Sequence, residues 1–501
     1  MKRIDHRNLA RRKQEIEARL APRNWTDQPS PMFTASNVSL EVSQRVGATC
    51  AGGIAPIHQM VRRLGLDRKI DQSLDLLKRH LPYHESDHVL NIAYNVLAGG
   101  TKLEDLELLR HDTAYMDLLG AQRIPDPTTA GDFLRRPSGA DVERLMDDVN
   151  AVRLGVWKRQ PRSFRRRATI DADGTIVPTL GEKKAGMGMS HKGIWGYHPL
   201  LVSLANTKEP LFIVNRPGNS TSQSGSAKWL DKAINLCGQA FKEVWVRGDT
   251  AFSLTGEFDR WTDAGVRFVF GYDSHPNLVQ KAENLPESAY SPLQRETREV
   301  KTGPREKREN TKEQVVFYNG YRNIRLKSEE WAEFWYQPTN CKRSYRMIVL
   351  KKNLSVEESD LVLFDDVKYF FYIANDDAIE GPEVIREANA RCDQENVIEQ
   401  LKNGVNALRV PVNDLVSNWA YMVIASLAWT LKAWFGLTLS NRLDCDAVLR
   451  MEFKKFLNLV IRIPCQVIRG GRRLRIRLLG YTDRARLLVE SLSATRAWAG
   501  T

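Results

Sequence analysis

Apolar positions recur at two different spacings along this chain, and the spacing changes near residue 160. From about Ala51 to Val152 they recur every three or four residues, which is typical of helices with one buried face. The basic segment 1–22 has the same helical pattern. From 168 to 260, short apolar and β-branched runs indicate strands instead. The pattern therefore predicts a helical N-terminal region followed by an α/β region.

The runs between 168 and 260 predict three strands, one helix and a fourth strand. The predicted elements are Arg167–Val177, Tyr197–Ala205, Pro210–Asn215, the helix Ala227–Phe241, and Glu243–Arg247. This is the order of a ribonuclease-H-like sheet, in which the first and fourth strands lie side by side. Asp173 lies on the first strand and Asp249 follows the fourth, so we expect their carboxylates to lie close together.

Further strand-like runs predict a β-rich insertion at 262–378. They are Val266–Phe270, Gln314–Tyr318, Tyr345–Leu350 and Lys368–Ile373. The charged segment Gln294–Glu313 lies inside the insertion and has the composition of a mobile loop. The predicted fold class is thus α/β, a ribonuclease-H-like core interrupted by a β-rich insertion, with an N-terminal helical domain.

The net charge of the chain indicates the class of its binding partner. The 501 residues carry a formal net charge of +13 and have a pI near 9.4, whereas the 42% apolar and 27% charged contents are ordinary. Because the positive charge is spread along the chain, it favours a nucleic acid over a membrane surface as the partner.

The cysteines and the apolar segments exclude several other classes. Six cysteines lie scattered without a Cys-x2-Cys pair, which argues against a zinc knuckle or a disulfide scaffold and favours a reducing compartment. The basic N-terminus lacks the apolar core of a signal peptide. Trp419–Leu437 approaches the length of a membrane span, but Lys432 and its Ser and Thr residues favour a buried helix. We therefore expect a cytoplasmic protein with no membrane partner.

Three histidines offer a possible metal site in the helical region. His80, His84 and His88 follow one another at four-residue spacing, as ligands on one helix face would. Pro82 interrupts the helix that would align them, so we do not assign them a ligand role.

A third acid lies far along the chain, at Glu395. No Gly or Pro occurs from Glu383 to Lys402, which predicts one continuous helix with Arg391, Glu395 and Lys402 on roughly one face. Two strand acids and one helix acid supply the hard oxygen ligands of a two-metal phosphodiester site, with two Mg²⁺ or Mn²⁺ ions. Each acid alone is typical of an ordinary surface, but their order and setting favour one catalytic site.

The first strand carries two candidate acids. Asp171 and Asp173 share a strand face because side chains alternate. We prefer Asp173 as the catalytic acid because Gly and Thr follow it, and assign Asp171 as an additional metal ligand or as the partner of a neighbouring Arg. Asp393 and Glu399 also lie near Glu395.

These blocks resemble the bacterial insertion-sequence transposases of the DDE class, in the group with a Tyr-x2-Arg-x3-Glu-x6-Lys signature. Arg391-x3-Glu395-x6-Lys402 matches that spacing, with Ala388 at the Tyr position. Gly196–Leu201, Arg216–Asn219 and Arg247–Phe252 follow the blocks of the insertion sequence 1380 family in the same order. The resemblance covers nearly the whole chain.

The resemblance implies an enzyme that binds the inverted-repeat ends of an insertion sequence, cleaves phosphodiester bonds and transfers the 3′-hydroxyl strand to target DNA. It implies Asp173, Asp249 and Glu395 as the catalytic metal ligands and a homodimer on double-stranded DNA, near the bacterial nucleoid. The candidate DNA-binding residues are Arg391, Lys402, Arg165, Arg166, Arg167 and Arg247. We expect Arg165–Arg167 to lie beside Asp171 and Asp173.

Two other functions share these residues, a related metal-dependent nuclease without strand transfer and a catalytically dead DNA-binding derivative. In the resembling family such an insertion can stack a flipped base when a DNA hairpin forms. Here Trp331, Phe334, Trp335 and Tyr336 either do so or, as we favour, pack in the core. The predicted regions are 1–160 (helical, DNA-end binding), 161–261 (core, first part), 262–378 (insertion), 379–440 (core, second part) and 441–501 (basic C-terminal region).

Overall fold

Helices dominate the first third of the chain, as the apolar spacing predicts. The computed structural model describes residues 3–21, 31–33, 35–40, 46–181, 183–295, 311–358, 361–470, 473–479 and 485–498. Its first helices are α1 (Arg3–Leu20), α2 (Ile54–Leu64), α3 (Leu66–Ser73), α4 (Glu85–Ala98), α5 (Leu106–His111), α6 (Thr113–Leu119), α7 (Pro127–Leu134) and α8 (Gly139–Lys158). A short strand that the pattern did not predict, β1 (Gly47–Thr49), precedes α2.

The middle of the chain supplies most of the strands. They are β2 (Arg167–Gly174), β3 (Val177–Pro178), β4 (Gly188–Met189), β5 (Trp195–Tyr197), β6 (Leu200–Leu204), β7 (Glu209–Val214), β8 (Glu243–Gly248), β9 (Arg267–Tyr272), β10 (Ser291–Pro292), β11 (Arg322–Tyr336), β12 (Tyr345–Glu358) and β13 (Leu361–Ala374). Between them lie α9 (Ser226–Gly238), α10 (Thr255–Asp263), α11 (Pro276–Glu283) and α12 (Thr311–Tyr318).

The last part of the chain is mainly helical. It contains α13 (Gly381–Ala390), α14 (Asp393–Glu399), α15 (Leu415–Leu437), α16 (Arg442–Arg450), α17 (Phe453–Phe456), β14 (Cys465–Gly470), β15 (Arg473–Leu478) and α18 (Ala485–Trp498). The strand β14 pairs with both β1 and β15, so β15 forms an edge of this three-stranded sheet.

Among the described residues, nine strands form one mixed sheet in the order β10-β11-β12-β13-β9-β8-β2-β6-β7. The first predicted strand, β2, lies parallel to and directly beside the fourth, β8. The predicted neighbourhood of the strands that carry Asp173 and Asp249 is therefore confirmed. The chain reaches β8 through α9, the helix predicted between the third and fourth strands.

The two faces of β2 and β8 meet different partners because their side chains alternate. Ala168, Ile170 and Ala172 enter the main core on one face. On the other face Trp245 packs with Val384 of α13 in a second apolar cluster. Asp171 and Asp173 follow the odd-numbered positions of β2 and so share the face that α13 covers.

The insertion continues the core sheet and does not form a separate one. The strand β9, which the pattern assigned to the insertion, pairs in parallel with β8, and β13 then extends the sheet from β9. The predicted strand Gln314–Tyr318 is wrong, because these residues lie in α12. Most of the predicted loop Gln294–Glu313 lies outside the described residues.

The helix α15 is the central core helix of the C-terminal part. By length and composition it could span a membrane, but its apolar stretch is entirely buried within the protein. Beside it, the Arg153 guanidinium of α8 donates to Glu209 of β7 at 2.9 Å, and Trp434 of α15 donates to the same carboxylate at 2.8 Å. This buried polar cluster joins the helical region, the sheet and α15.

One charge inside α15 costs stability. Lys432 is buried, donates to the carbonyl of Leu449 at 3.0 Å, and lies 3.8 Å from the ring centroid of Trp429. Burial lowers its pKa to about 7. The unfolded chain therefore binds more protons than the folded one between pH 7 and the ordinary lysine pKa, so stability from this group rises with pH across that window.

We predict that Lys432→Met stabilises the protein at pH 7 and that this gain shrinks as the pH rises toward 10. The physical reason is that the wild-type amine is already neutral in both states at high pH. Thermal denaturation across pH 6–10 measures the difference, with the exposed Lys158→Met as the control. A gain that is the same at every pH would contradict this account of Lys432.

Candidate active site

Asp173 lies near the end of β2, where the strand leaves the buried part of the sheet. Its Oδ1 accepts a hydrogen bond from the backbone N–H of Gly174 at 2.7 Å. Gly174 itself has no room for a side chain, since a Cβ there would lie 2.7 Å from Nε2 of His198. The Asp-Gly pair therefore lets the strand pass close to His198 while it presents the carboxylate.

Asp249 follows the last residue of β8 and caps the short 3₁₀ turn Thr250–Phe252. Its Oδ1 accepts from the backbone N–H of Ala251 at 3.0 Å. This bond orients the carboxylate at the same end of the sheet as Asp173, because β2 and β8 run in parallel.

Glu395 lies in the first turn of α14 and is exposed. The predicted continuous helix is wrong here: α13 ends at Ala390, and α14 begins at Asp393 after a turn. The neighbouring Gln394 is buried, and its Oε1 accepts a hydrogen bond from Ser203 of β6 at 2.5 Å. This contact ties the helix that carries Glu395 to the core sheet.

The three acids lie close enough to act on one another. Burial, together with the negative charges of Asp249 and Glu395, raises the pKa of Asp173 to about 6, while the Gly174 N–H and Arg391 oppose the shift. Carboxylates whose like charges interact in this way favour a bound cation or a shared proton. The structure thus brings together the three acids that were predicted to form one site.

Two of the predicted DNA-binding residues also lie here. Arg391, at the turn between α13 and α14, acts electrostatically on Asp173 and lines a cavity of about 260 Å³ together with Asp249. Burial lowers the pKa of Lys402, while Glu399 and Asp173 oppose that shift. Both cations therefore adjoin the acids, although the helix break removes the single helical face predicted for them.

Asp171 has the second of the two roles predicted for it, as the partner of a neighbouring Arg, and that Arg is Arg247, which was predicted to bind DNA. Arg247 donates from Nε and Nη2 to the two carboxylate oxygens of Asp171, at 2.8 and 2.9 Å. Burial alone would lower the pKa of Arg247, but Asp171 and Glu387 raise it above its ordinary value, so the guanidinium stays charged. With both oxygens engaged, Asp171 is not a free metal ligand. Arg247 is buried and does not present its charge to DNA.

The basic run Arg165–Arg167 lies at the wrong end of β2 to flank the acids. Arg167 begins the strand and Asp173 is six residues further on, which at the usual strand rise is roughly 20 Å. Arg167 also pairs with Glu387 at 2.7 Å and stacks 3.9 Å from the ring centroid of Trp245. The expectation that this run lies beside Asp173 is therefore wrong. Arg166 is exposed, and its role as a DNA contact stays a prediction.

The histidine cluster contains Glu85 in place of His88. His80, His84 and Glu85 lie within 4.8 Å of one another, while His88 is buried against Phe133. The rings of His80 and His84 are stacked with an interplanar angle of 9°, so their nitrogen lone pairs point along parallel planes and do not converge on one ion. The 3.0 Å contact of His80 with Glu85 accounts for the cluster without a metal.

The aromatic residues of the insertion divide into two groups. Trp331 packs in the cluster around α13, and Phe334 and Tyr336 pack against the main core. Trp335 is 60% exposed. Three of the four side chains thus have the core role that we favoured, and Trp335 is available for stacking.

Sequence reasoning missed Gln394 and Glu387 as residues of this site. Gln394 has a polar side chain that is fully buried, and no letter pattern distinguishes it from an exposed glutamine. The ion pair of Arg247 did have a signal, since Asp171 and Arg247 each precede a candidate acid of the site by two residues, on neighbouring parallel strands.

We predict that Asp173→Asn stabilises the metal-free protein at pH 8 by about 1 to 3 kcal/mol. The folded-state pKa of Asp173 lies above the unfolded value, so the ionised carboxylate destabilises the fold above pH 6, and this penalty disappears as the pH falls from 6 to 4. Thermal denaturation in EDTA measures the gain, with the exposed Asp393→Asn as the control. A loss of stability at pH 8 would be the opposite of what this clustering of charges requires.

Comparison with known proteins shows which protein family the chain matches. A family model described as transposase DDE domain group 1 matches residues 36–497. A solved structure of the piggyBac transposase synaptic complex with hairpin DNA is similar with a TM-score of 0.36 and 11% identity, over 83% of this chain and 84% of that chain. The curated proteins include no match. Because the family model covers most of the chain, the protein belongs to the group 1 family of DDE transposases and is an enzyme that acts on DNA.

Proposed function

We propose that this transposase binds the inverted-repeat ends of its own insertion sequence, cleaves there, and joins the freed 3′-hydroxyl to target DNA. The observation that carries the proposal is the parallel pairing of β2 with β8, which brings Asp173 and Asp249 to one end of the sheet, where the charge of Glu395 also acts on Asp173. We further propose a ribonuclease-H-like core and membership of the insertion sequence 1380 family.

The acids fit divalent metal ions. Asp173 and Asp249 each engage one carboxylate oxygen with a backbone N–H and leave the other without a hydrogen bond in the described part of the chain. All three donors are hard oxygens, which suits Mg²⁺ or Mn²⁺, and we propose two ions per site. When bound, such ions activate the attacking hydroxyl and stabilise the leaving 3′ oxygen.

The cations beside the acids have their own part in the mechanism. Arg391 and Lys402 lie near Asp173, so a phosphate bound at the acids would meet their positive charges. Arg391 offers a planar fork that holds two phosphate oxygens at once, and Lys402 offers a single ammonium. We propose that these two cations attract and orient the phosphate. Their positive charge offsets the negative charge that the acids bring to the site.

The helical region and the net charge support the partner that we propose. A chain with a formal charge of +13 binds a polyanion with strong salt dependence. We propose that the helices of residues 1–160 recognise the DNA ends and that two copies act together on DNA, because two ends must be processed. A nuclease without strand transfer, or an inactive DNA-binding derivative, would share much of this surface, and products joined to target DNA distinguish the transposase from both.

We predict that Glu395→Gln abolishes cleavage of linear DNA carrying the element's ends while binding stays within a few-fold. The change removes a metal ligand charge but keeps the size of the side chain. Cleavage in Mg²⁺ or Mn²⁺, compared with EDTA, measures the effect. Asp393→Asn and Glu399→Gln are matched controls on the same helix and should retain cleavage. Full cleavage by Glu395→Gln would remove this residue from the mechanism.

We predict that Lys402→Gln weakens binding to end DNA several-fold and lowers the slope of log affinity against log salt by about one, as expected for one lost phosphate contact. Binding is measured by fluorescence anisotropy at several salt concentrations without divalent metal. Lys158→Gln, an exposed lysine of α8, serves as the comparison. An unchanged slope would show that Lys402 does not contact a phosphate in the bound state.

A further inference from the structure

A buried ion-pair network lies two residues before Asp173 and Asp249 along the strands β2 and β8. Asp171 and Arg247 are directly paired positions of the parallel strands β2 and β8. Each precedes a proposed metal ligand by two residues, Asp173 and Asp249, and therefore shares that ligand's strand face. The side chains of both paired residues are almost fully buried, with relative exposures of 2% and 6%.

The same guanidinium also binds α13, the helix that precedes the Glu395 helix α14. Nη1 of Arg247 donates to both the backbone carbonyl and Oε2 of Glu387 on α13, each at 3.2 Å. Arg167 binds the same carboxylate from the start of β2 at 2.7 Å. Glu387 precedes Glu395 by eight residues and lies just before the turn that starts α14.

We infer that Arg247 is a positioning residue, which sets the spacing of Asp173, Asp249 and Glu395 by binding Asp171 and Glu387 at once. A planar guanidinium fixes both the distance and the angle of its partners, because its N–H groups point in set directions. Burial makes the pair of Arg247 and Asp171 obligatory, since either charge left without its partner would be strongly penalised. The inference rests on the proposed function, because it concerns the geometry of that site.

A second contact restrains α14 from its other side. Gln394, next to Glu395, accepts from Ser203 of β6, and its Nε2 lies 3.5 Å from the carbonyl of Leu201. Leu201 is paired with Asp173 across β2 and β6. Glu395 is thus placed between a link through α13 to β8 and a link through α14 to β6, so a shift of α13 would be felt at the metal ligands.

The test compares Arg247→Lys with Arg153→Lys in the full chain. Arg153 also forms a buried ion pair, with Glu209 at 2.9 Å, but Glu209 lies on β7, an edge strand of the sheet three positions from β8. Both changes keep the charge and lose the fork. We expect Arg247→Lys to weaken Mn²⁺ binding, measured by electron paramagnetic resonance, at least tenfold and to lower the rate constant for cleavage with little change in affinity for DNA. Arg153→Lys should change only the unfolding temperature.

Asp171 as a direct metal ligand makes the opposite prediction. Arg247→Lys would then release the Asp171 carboxylate and leave Mn²⁺ affinity unchanged or stronger, which would overturn the inference. If Arg247→Lys does not fold, Glu387→Leu removes the carboxylate that joins α13 to Arg247 and Arg167 and leaves the Asp171 pair in place. It should weaken Mn²⁺ binding, while Glu387→Gln, which still accepts, should retain it. Equal Mn²⁺ affinity in Glu387→Leu and wild type would also overturn the inference.

The metal measurement separates this inference from the proposed function. A wild type that binds Mn²⁺ without cleaving end DNA would contradict the function, and the variants would still decide the role of Arg247 through Mn²⁺ affinity. A wild type that cleaves as proposed, with Arg247→Lys indistinguishable from it, would retain the function and reject the positioning role.

Discussion

A single guanidinium inside the sheet carries the constraint on which the active site depends. Charged groups away from water must be paired, and Arg247 satisfies this by binding Asp171 on the next strand and Glu387 on the covering helix. Two parallel strands and one helix are thereby held in one register. The three acids of the site lie next to this network. The strands and the helix that carry them hold them together against their mutual electrostatic repulsion.

Much of this arrangement follows from the sequence, because hydrophobic period and strand order are properties of local stretches. Alternation on two short apolar runs places Asp173 and Asp249 on strand ends, and the intervening helix makes the strands parallel neighbours. The helical N-terminal region and the buried helix α15 follow for the same reason, since their apolar spacing is regular. The prediction of the third acid, Glu395, depended on its match to the family signature and not on the spacing of apolar residues.

The rest depends on tertiary contacts that single letters do not encode. The residue types of Asp171 and Arg247 are the same whether they face solvent or each other, so the sequence leaves Asp171 open between a metal ligand and an Arg partner and does not show that Arg247 is buried. The turn after Ala390 occurs without Gly or Pro, because the contacts of Gln394 and Glu387 determine where the two helices lie. The segment Gln314–Tyr318 is rich in β-branched and aromatic residues and still forms a helix.

The most direct test of this account is the position of bound Mn²⁺, located by anomalous X-ray scattering from crystals of the protein with end DNA. The account predicts manganese density in contact with the carboxylates of Asp173, Asp249 and Glu395, with Asp171 still bound by both nitrogens to Arg247. Manganese held by Asp171, or a Glu395 carboxylate turned away from the other two acids, would contradict it.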